Sequence, residues 1–208
     1  MFFAAPSGCL QYFTAASGQF TSFNYKTTEA DANGPNHLAN LNYAICFRIA
    51  NGFCGIKYSQ VASDIYSFTL SGDASTLKNL DDTGRVMYSD SKCNNDYLVI
   101  PGGSQTGLDR DRQFSFDRFC GSTLGVCGIK ATGQASCQEV IGPVVSKFKI
   151  PTHFFQIFLT GSIFFLAYTR PFVLGVVTDE NDGDPITTEK GNRGFNLLYS
   201  QLPCANLG

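Results

Sequence analysis

The stretch Cys93–Gly121 reads CNNDYLVIPGGSQTGLDRDRQFSFDRFCG, and it decides the fold. An apolar run begins at Tyr97 and is stopped by a Pro-Gly-Gly sequence. A second run, in which Phe114 and Phe116 alternate with polar residues, returns the chain to a cysteine. Two such runs joined by a loop predict neighbouring strands that a Cys93–Cys120 disulfide staples together. Closing a loop of this length would contribute ~3–4 kcal/mol by restricting the unfolded chain.

The composition indicates a disulfide-rich protein of an oxidising compartment. The chain has 208 residues, enough for one well-cored domain, and eight cysteines, an even number. It contains no Cys-x-x-Cys step of the kind that metal clusters use, so the cysteines predict disulfides and an extracellular location. The formal net charge is −2, with no run of Lys or Arg. This charge pattern argues against a nucleic-acid partner.

The first eight residues, MFFAAPSG, are too short to form a secretory signal peptide. Pro6-Ser7-Gly8 is typical of a linker between domains. We therefore expect residues 1–8 to be a linker or the remnant of an upstream segment. The domain itself is expected to span residues 9–204, within a longer secreted chain.

The remaining strand-like runs predict an all-β fold. Apolar residues alternate from Ile45 to Ile49, and Asn51-Gly52 follows, a strong signal for a tight hairpin with the run that starts at Phe53. In that hairpin Cys46 and Cys54 would lie on opposite faces, so they should not pair with each other. Further runs cover Phe20–Phe23, Ile65–Leu70, Pro171–Asp179 and Gly194–Gln201. Eight runs without an amphipathic helix predict a sandwich of two antiparallel sheets.

Two regions interrupt this pattern. The first region, residues 71–92, is polar and predicts a long loop. After Gly121, Cys127 and Cys137 lie close enough in sequence to bridge locally. An atypical apolar insertion lies near residues 147–166. Within it, residues 150–169 contain no Asp, Glu, Lys or Arg.

The apolar insertion has three interpretations. Its length would just span a bilayer, but its Pro, His, Gln and Gly make a membrane span a poor interpretation. A span would also separate Cys204 from the other cysteines. Alternatively it is a retained intron, since joining Ser146 to Ala167 gives the continuous sequence GPVVSAYTRPFVLGVVTD, or it is a genuine surface loop or strand. Sequencing the transcript tests the intron interpretation.

The sequence argues against catalysis. It contains two histidines, His37 and His153, and both lie in segments that predict loop or surface positions. It has no Gly-x-Ser-x-Gly elbow, no phosphate-binding glycine loop and no His-x-x-x-His metal motif. We therefore expect no enzyme activity.

Four groups of residues resemble the CUB domain. They are Cys93-x-x-Asp96-Tyr97, Arg118-Phe119-Cys120-Gly121, Pro171-Phe172 with Thr178-Asp179, and Gly194-Phe195 with Tyr199. The extra cysteines make the chain most similar to secreted CUB domains of arthropods. The resemblance implies a jelly-roll-like sandwich and a Cys9–Cys46 disulfide. Cys54 is then left for a distant partner such as Cys204.

The resemblance also implies a calcium site. Many CUB domains hold Ca²⁺ at one end of the sandwich through one Glu and two Asp, and the ion helps to seat a lysine of a partner. By motif, Asp96 and Asp179 match the two aspartates. The glutamate is replaced by Ser71, and Asp73 is the candidate substitute. Carboxylate oxygens are the ligands that Ca²⁺ prefers.

The expected function follows from this resemblance. We expect a secreted, non-catalytic module that recognises an extracellular protein, or a carbohydrate, with the help of Ca²⁺. The alternative is an accessory CUB domain of a larger modular extracellular serine or metalloprotease, which a full-length transcript would reveal. A third, weaker interpretation is a surface protein anchored in the membrane through residues 150–168.

Overall fold

Alternating apolar and polar side chains build the molecule almost entirely from strands. The computed structural model describes residues 5–25, 37–72, 87–104, 115–125, 127–129, 135–137, 140–142, 171–180 and 191–204. The strands in these residues are β1 (Cys9–Phe13), β2 (Ser17–Thr21), β3 (Asn42–Phe47), β4 (Phe53–Gln60), β5 (Phe68–Thr69), β6 (Met87–Ser89), β7 (Tyr97–Ser104), β8 (Ser115–Gly121), β9 (Cys127–Ile129), β10 (Ala135–Cys137), β11 (Val140–Ile141), β12 (Phe172–Val177) and β13 (Gly194–Pro203). The described helical structure is one 3-10 turn, Asp90–Lys92. The expected all-β class is confirmed.

The strands form a rolled sheet of two facing layers. The order is β1-β3-β12-β7-β11-β4-β13-β2, with β8 and β6 extending from β7 and β5 pairing with β13. The short strand β11 links the layers, because it pairs with both β4 and β7. The first layer therefore contains β1, β3, β12, β7, β8 and β6, and the second contains β4, β13, β2 and β5. The pairs are antiparallel except β1 with β3, which is parallel.

Aromatic side chains fill the space between the layers. The Phe47 ring on β3 lies 4.5 Å from the Tyr199 ring on β13, centroid to centroid, and 5.2 Å from the Phe20 ring on β2. These tilted and edge-on contacts are the arrangements that aromatic quadrupoles favour. The core also contains buried aliphatic residues of both layers: Ile45, Ile56, Leu98, Ile100, Leu174, Val176 and Leu197.

Among the described residues, three disulfides each join two segments of the same layer. They join Cys9 to Cys46, Cys54 to Cys204, and Cys93 to Cys120. Cys93–Cys120 connects the approach to β7 with the end of β8, and β7 and β8 pair antiparallel. Cys127 and Cys137 lie directly opposite each other in the β9–β10 pair.

The hairpin predicted at Asn51-Gly52 is wrong in its pairing. The turn forms, with the Phe53 N–H donating to the Ala50 carbonyl at 3.1 Å. However, β3 pairs with β1 and β12, whereas β4 pairs with β13 and β11. The Phe47 and Tyr58 rings meet across the core at 5.6 Å. The turn thus carries the chain from one layer to the other, because each strand finds a longer partner elsewhere.

Two further expectations differ from the structure. The run Ile65–Leu70 contributes only a two-residue strand, Phe68–Thr69, although Tyr66, Phe68 and Leu70 are buried. The last part of the predicted loop of residues 71–92 contains a strand, because Met87–Ser89 pairs with β8. Residues 73–86 of that loop and the apolar insertion near 147–166 lie outside the described residues.

Candidate functional site

Pairing of β12 with β7 brings together two aspartates that are far apart in sequence. Val177, the last residue of β12, pairs with Tyr97, the first residue of β7. Asp96 immediately precedes β7, and Asp179 follows β12 by two residues. The Asp179 backbone N–H donates a hydrogen bond to Asp96 Oδ1 at 3.0 Å. The register of the sheet therefore places both predicted calcium ligands at one end of the sandwich.

Asp96 is a buried carboxylate with one oxygen left unpaired. Its residue is 1% exposed, and Oδ2 has no hydrogen-bond partner among the described residues. Burial raises the pKa of Asp96 to about 7. The Asp179 N–H opposes this rise, and the Asp179 carboxylate adds to it. An unpaired buried carboxylate oxygen is costly, so this position favours a positive charge or a proton.

His37 faces the unpaired oxygen. Its Nε2 lies 3.8 Å from Asp96 Oδ2, and its residue is only 3% exposed. The His37 backbone N–H donates to the Asn192 carbonyl at 2.9 Å, which fixes the start of this segment to the approach to β13. His37 lies in a loop, as its sequence context predicts, but its burial shows that the alternative of a solvent-exposed residue is wrong. No local pattern signals this burial, because the contact spans 59 positions.

Hydrogen bonds attach the segment after His37 to the end of β12. Thr178 Oγ1 donates to the Leu38 carbonyl at 2.8 Å and accepts from the Leu41 N–H at 2.8 Å. The Asn40 N–H donates to the Asp179 carbonyl at 2.6 Å. These bonds fix the backbone of Thr178 and Asp179 against the segment from Leu38 to Leu41. The half-buried Asp179 side chain is thereby positioned beside the buried Asp96.

The position of the family glutamate supplies no carboxylate. Ser71 Oγ accepts a hydrogen bond from the Gly121 N–H at 2.8 Å, so this side chain caps the end of β8. Asp73, the candidate substitute, lies outside the described residues. Within the described ranges, no group of three or more His, Cys, Asp or Glu side chains is placed to hold a metal. A cation beside Asp96 would satisfy its unpaired oxygen, and carboxylate oxygens are ligands that Ca²⁺ prefers.

Further polar groups are buried near this end. Asn192 is fully buried, and its side-chain amide has no hydrogen-bond partner within the described part of the chain. Arg193 is 2% exposed, and its guanidinium carbon lies 3.8 Å from the centroid of the Tyr66 ring. A cation over an aromatic face at this distance is strongly attracted to the ring. Neither residue carries a signal in the sequence, since a basic residue before a strand usually predicts an exposed turn.

The strand topology and the disulfides define the class: an all-β sandwich module stapled by disulfides. The family described as "Animal CUB domain" matches residues 6–202. The chain belongs to this family. Comparison with the curated proteins yields no match. CUB domains are generally non-catalytic, extracellular modules that bind proteins. Among the described residues, no helix has the length and apolar character needed to cross a bilayer.

Proposed function

We propose that this protein is a secreted, non-catalytic module that binds an extracellular protein through the end of the sandwich that carries Asp96 and Asp179. The observation that carries the proposal is the buried Asp96 carboxylate, with one oxygen unpaired beside a second carboxylate. Two neighbouring carboxylates attract a cation, from solution or from a partner's side chain. Three disulfides support secretion, because they persist in oxidising compartments.

The proposal includes Ca²⁺ as a supporting ion at this end. Asp96 and Asp179 would hold it, and Asp73 is the proposed third carboxylate. Bound Ca²⁺ would supply positive charge that neutralises the two carboxylates. The chain's own contribution is placement, because the bonds of Thr178 and Asn40 hold the Asp179 backbone rigid. With the ion in place, the exposed Glu180 would present negative charge to a lysine of the partner.

Thermal unfolding with and without millimolar Ca²⁺ tests the ion. A ligand that binds only the folded state raises its stability by mass action. We expect Ca²⁺ to raise the Tm of the wild type and to have no effect on Asp179→Ala. Glu180→Ala, which removes an exposed acid one position further on, is the matched control and should keep the shift. Equal shifts in all three proteins, or none in the wild type, would exclude Ca²⁺ from this end.

Partner binding is tested separately. The wild type and Asp179→Ala are immobilised and exposed to native extracellular fluid, with Ca²⁺ or with a chelator. We expect the immobilised wild type to retain a protein that immobilised Asp179→Ala does not retain. Retention that survives Asp179→Ala would place recognition on another face. Loss in chelator as well as in the variant would link recognition to the ion.

Two finer assignments are also proposals. The resemblance to secreted arthropod CUB domains supports the proposal that this protein is one of them. Carbohydrate is the second class of ligand that we propose for it. A role as the accessory domain of a modular extracellular protease stays an alternative prediction. A full-length transcript encoding a protease domain would establish that alternative.

A further inference from the structure

The turn between the first layer and the second, from Ala50 to Phe53, contains the step Asn51-Gly52. The Phe53 N–H donates to the Ala50 carbonyl at 3.1 Å, and the φ of Gly52 is +85°, whereas the φ of Asn51 is not positive. A positive φ at the third residue alone defines a type II turn, which favours glycine at that position. The sequence contains a second Asn-Gly step at residues 33–34, which lies outside the described residues.

Both residues of the step between the layers are open to solvent and are not held by hydrogen bonds. Asn51 and Gly52 are exposed. Within the part of the chain that the structure describes, neither the Asn51 side-chain amide nor the Gly52 N–H has a hydrogen-bond partner. The space where a Cβ of Gly52 would stand is open, because no heavy atom beyond its chain neighbours lies within 4 Å. The Gly52 nitrogen can therefore approach the Asn51 side chain without giving up a bond of its own or displacing a neighbour.

The other asparagines of the described ranges lack one or more of these features. Each of them is followed by a residue with a side chain, which obstructs its backbone nitrogen. After Asn40 that nitrogen is also engaged, because the Leu41 N–H donates to Thr178 Oγ1 at 2.8 Å. Asn196 is 1% exposed, and its side-chain amide donates to Asp64 Oδ2 at 2.9 Å. Among the described residues, exposure, an unbonded nitrogen and a following glycine coincide only in the turn between the layers.

We propose that Asn51 is a site of spontaneous deamidation. The Gly52 nitrogen loses its proton to solvent and attacks Asn51 Cγ. The new C–N bond closes a five-membered succinimide, and the side-chain nitrogen takes a proton from solvent and leaves as ammonia. Water then opens the succinimide at either carbonyl, which yields aspartate or isoaspartate at this position. Both products add one negative charge to the formal net charge of −2.

The isoaspartate product changes the backbone, whereas the aspartate product does not. In isoaspartate the main chain runs through the side-chain carbons, which inserts one methylene before Gly52. This lengthens the turn that the Phe53 N–H closes, and it displaces the Gly52 carbonyl, which accepts from the Cys204 N–H at 2.9 Å. Loss of one net hydrogen bond lowers the Tm of a domain of this size by roughly 2–4 °C.

This modification is independent of the proposed function. Strand β3 begins at Asn42, which pairs with Val177 two residues before Asp179, and it ends at Phe47, shortly before the turn. The turn therefore lies at the end of the sandwich opposite the two carboxylates. Deamidation should leave unchanged any effect of Ca²⁺ on the Tm.

Peptide mapping of the full, oxidised chain before and after storage in warm, mildly alkaline buffer tests the proposal. After reduction and alkylation, cleavage after Lys and Arg isolates Asn51 as the only asparagine of residues 49–57. The same digest isolates Asn24 as the only asparagine of residues 1–26. Asn24 is the internal control, because the N–H of the next residue donates to the Ser22 carbonyl at 3.4 Å.

We expect peptide 49–57 to gain the mass difference between an amide and an acid, and to become a substrate of an isoaspartyl methyltransferase. Peptide 1–26 should stay unchanged. An unchanged peptide 49–57, or equal conversion of the two peptides, would overturn the proposal. Conversion of Asn51 only in a reduced, unfolded sample would also overturn it, because the folded turn would then protect this residue.

Two variants separate the chemistry from its effect on the fold. Asn51→Gln should show no conversion during the same storage, because its longer side chain must close a larger, less favourable ring. Asn51→Asp carries the charge of the products on an unaltered backbone and should keep the Tm of the wild type, as exposed substitutions usually do. The isoaspartate form, separated from stored protein by anion exchange, should unfold at the lower Tm. Conversion of Asn51→Gln at the rate of the wild type would contradict the succinimide step.

Discussion

Asp96 links the pH dependence of stability to the candidate site. Its pKa is about 7 in the folded protein and about 3.9 in an unfolded chain, so the folded state binds this proton more tightly. The contribution of this group to the free energy of unfolding therefore rises as the pH falls from about 8 to about 5. Asp96→Asn should stabilise the calcium-free protein by about 2 kcal/mol at pH 8 and flatten its pH dependence. Urea unfolding in chelator at several pH values measures this.

The control for that prediction removes an exposed charge at the same end. Glu180→Gln changes the net charge by the same amount without removing a buried carboxylate. Its pH profile should follow that of the wild type. Lower stability of Asp96→Asn at pH 8 would show that the Asp96 charge is compensated in the folded state.

Gly194 shows why one glycine of the family motif is required. Its φ is +91°, and an added Cβ would collide with Ser22 Oγ, which accepts a hydrogen bond from the Phe195 N–H. Gly52 has a similar φ of +85° but open space around the Cβ position. Gly52→Ala should therefore cost about 1 kcal/mol for backbone strain. Gly194→Ala adds a steric clash and should cost about 1–3 kcal/mol more.

Chemical denaturation of the two variants separates strain from collision. The difference between them reports the collision, because the backbone strain is shared. Equal losses of stability would mean that Ser22 moves aside without cost. That outcome would remove the physical reason for glycine at position 194.

At the scale of the element, the disulfides differ in the length of chain that they close. Cys93–Cys120 spans 27 residues and Cys54–Cys204 spans 150. Loop-closure entropy gives contributions of about 3.5 and about 5 kcal/mol. Replacing Cys54 and Cys204 by alanine should thus lower the free energy of unfolding by ~1–2 kcal/mol more than replacing Cys93 and Cys120. A reversed order would show that packing around the Cys93–Cys120 staple outweighs chain entropy.

The β9–β10 pair predicts a fourth disulfide. Cys127 is directly opposite Cys137 in the antiparallel register, and opposed residues have Cβ atoms about 4.5–5.5 Å apart. A small adjustment reaches the spacing that a disulfide needs. A non-reducing peptide map should contain a Cys127–Cys137 link, since Lys130 allows cleavage between them. Finding both residues alkylated without prior reduction would contradict the prediction.

At the scale of the whole molecule, the disulfides are comparable in energy to the total stability. Three of them contribute on the order of 10 kcal/mol by the entropic estimate, whereas domains of this size are stable by about 5–15 kcal/mol. The fully reduced protein should therefore unfold, or nearly so, at 25 °C. Near-ultraviolet circular dichroism of the tyrosines with and without reductant measures this. A cooperative thermal transition that survives reduction would mean that the aromatic core alone keeps the reduced protein folded.

Much of the fold could be predicted because its signals are local. Apolar runs predicted β7, β12 and β13, alternation predicted β8, and the cysteines flanking β7 and β8 predicted the Cys93–Cys120 disulfide. The other two disulfides agree with the pairs that the CUB resemblance implied. The Asn51-Gly52 turn was predicted, yet its strands separate into different layers. Local turn chemistry cannot decide which strand offers the longer ladder.

The sequence by itself determined the β class, the oxidising chemistry of the cysteines and the motif positions of Asp96 and Asp179. Periodicity and residue type carry these features, and both are local properties of the chain. Only the tertiary structure decided that His37 faces Asp96, that Ser71 caps the end of β8 and that the Thr178 hydroxyl bonds to the backbone of Leu38 and Leu41. These features depend on contacts between segments that lie from 50 to more than 100 residues apart. Burial of a polar group, and the pKa that follows from it, is set by what the rest of the chain packs around it.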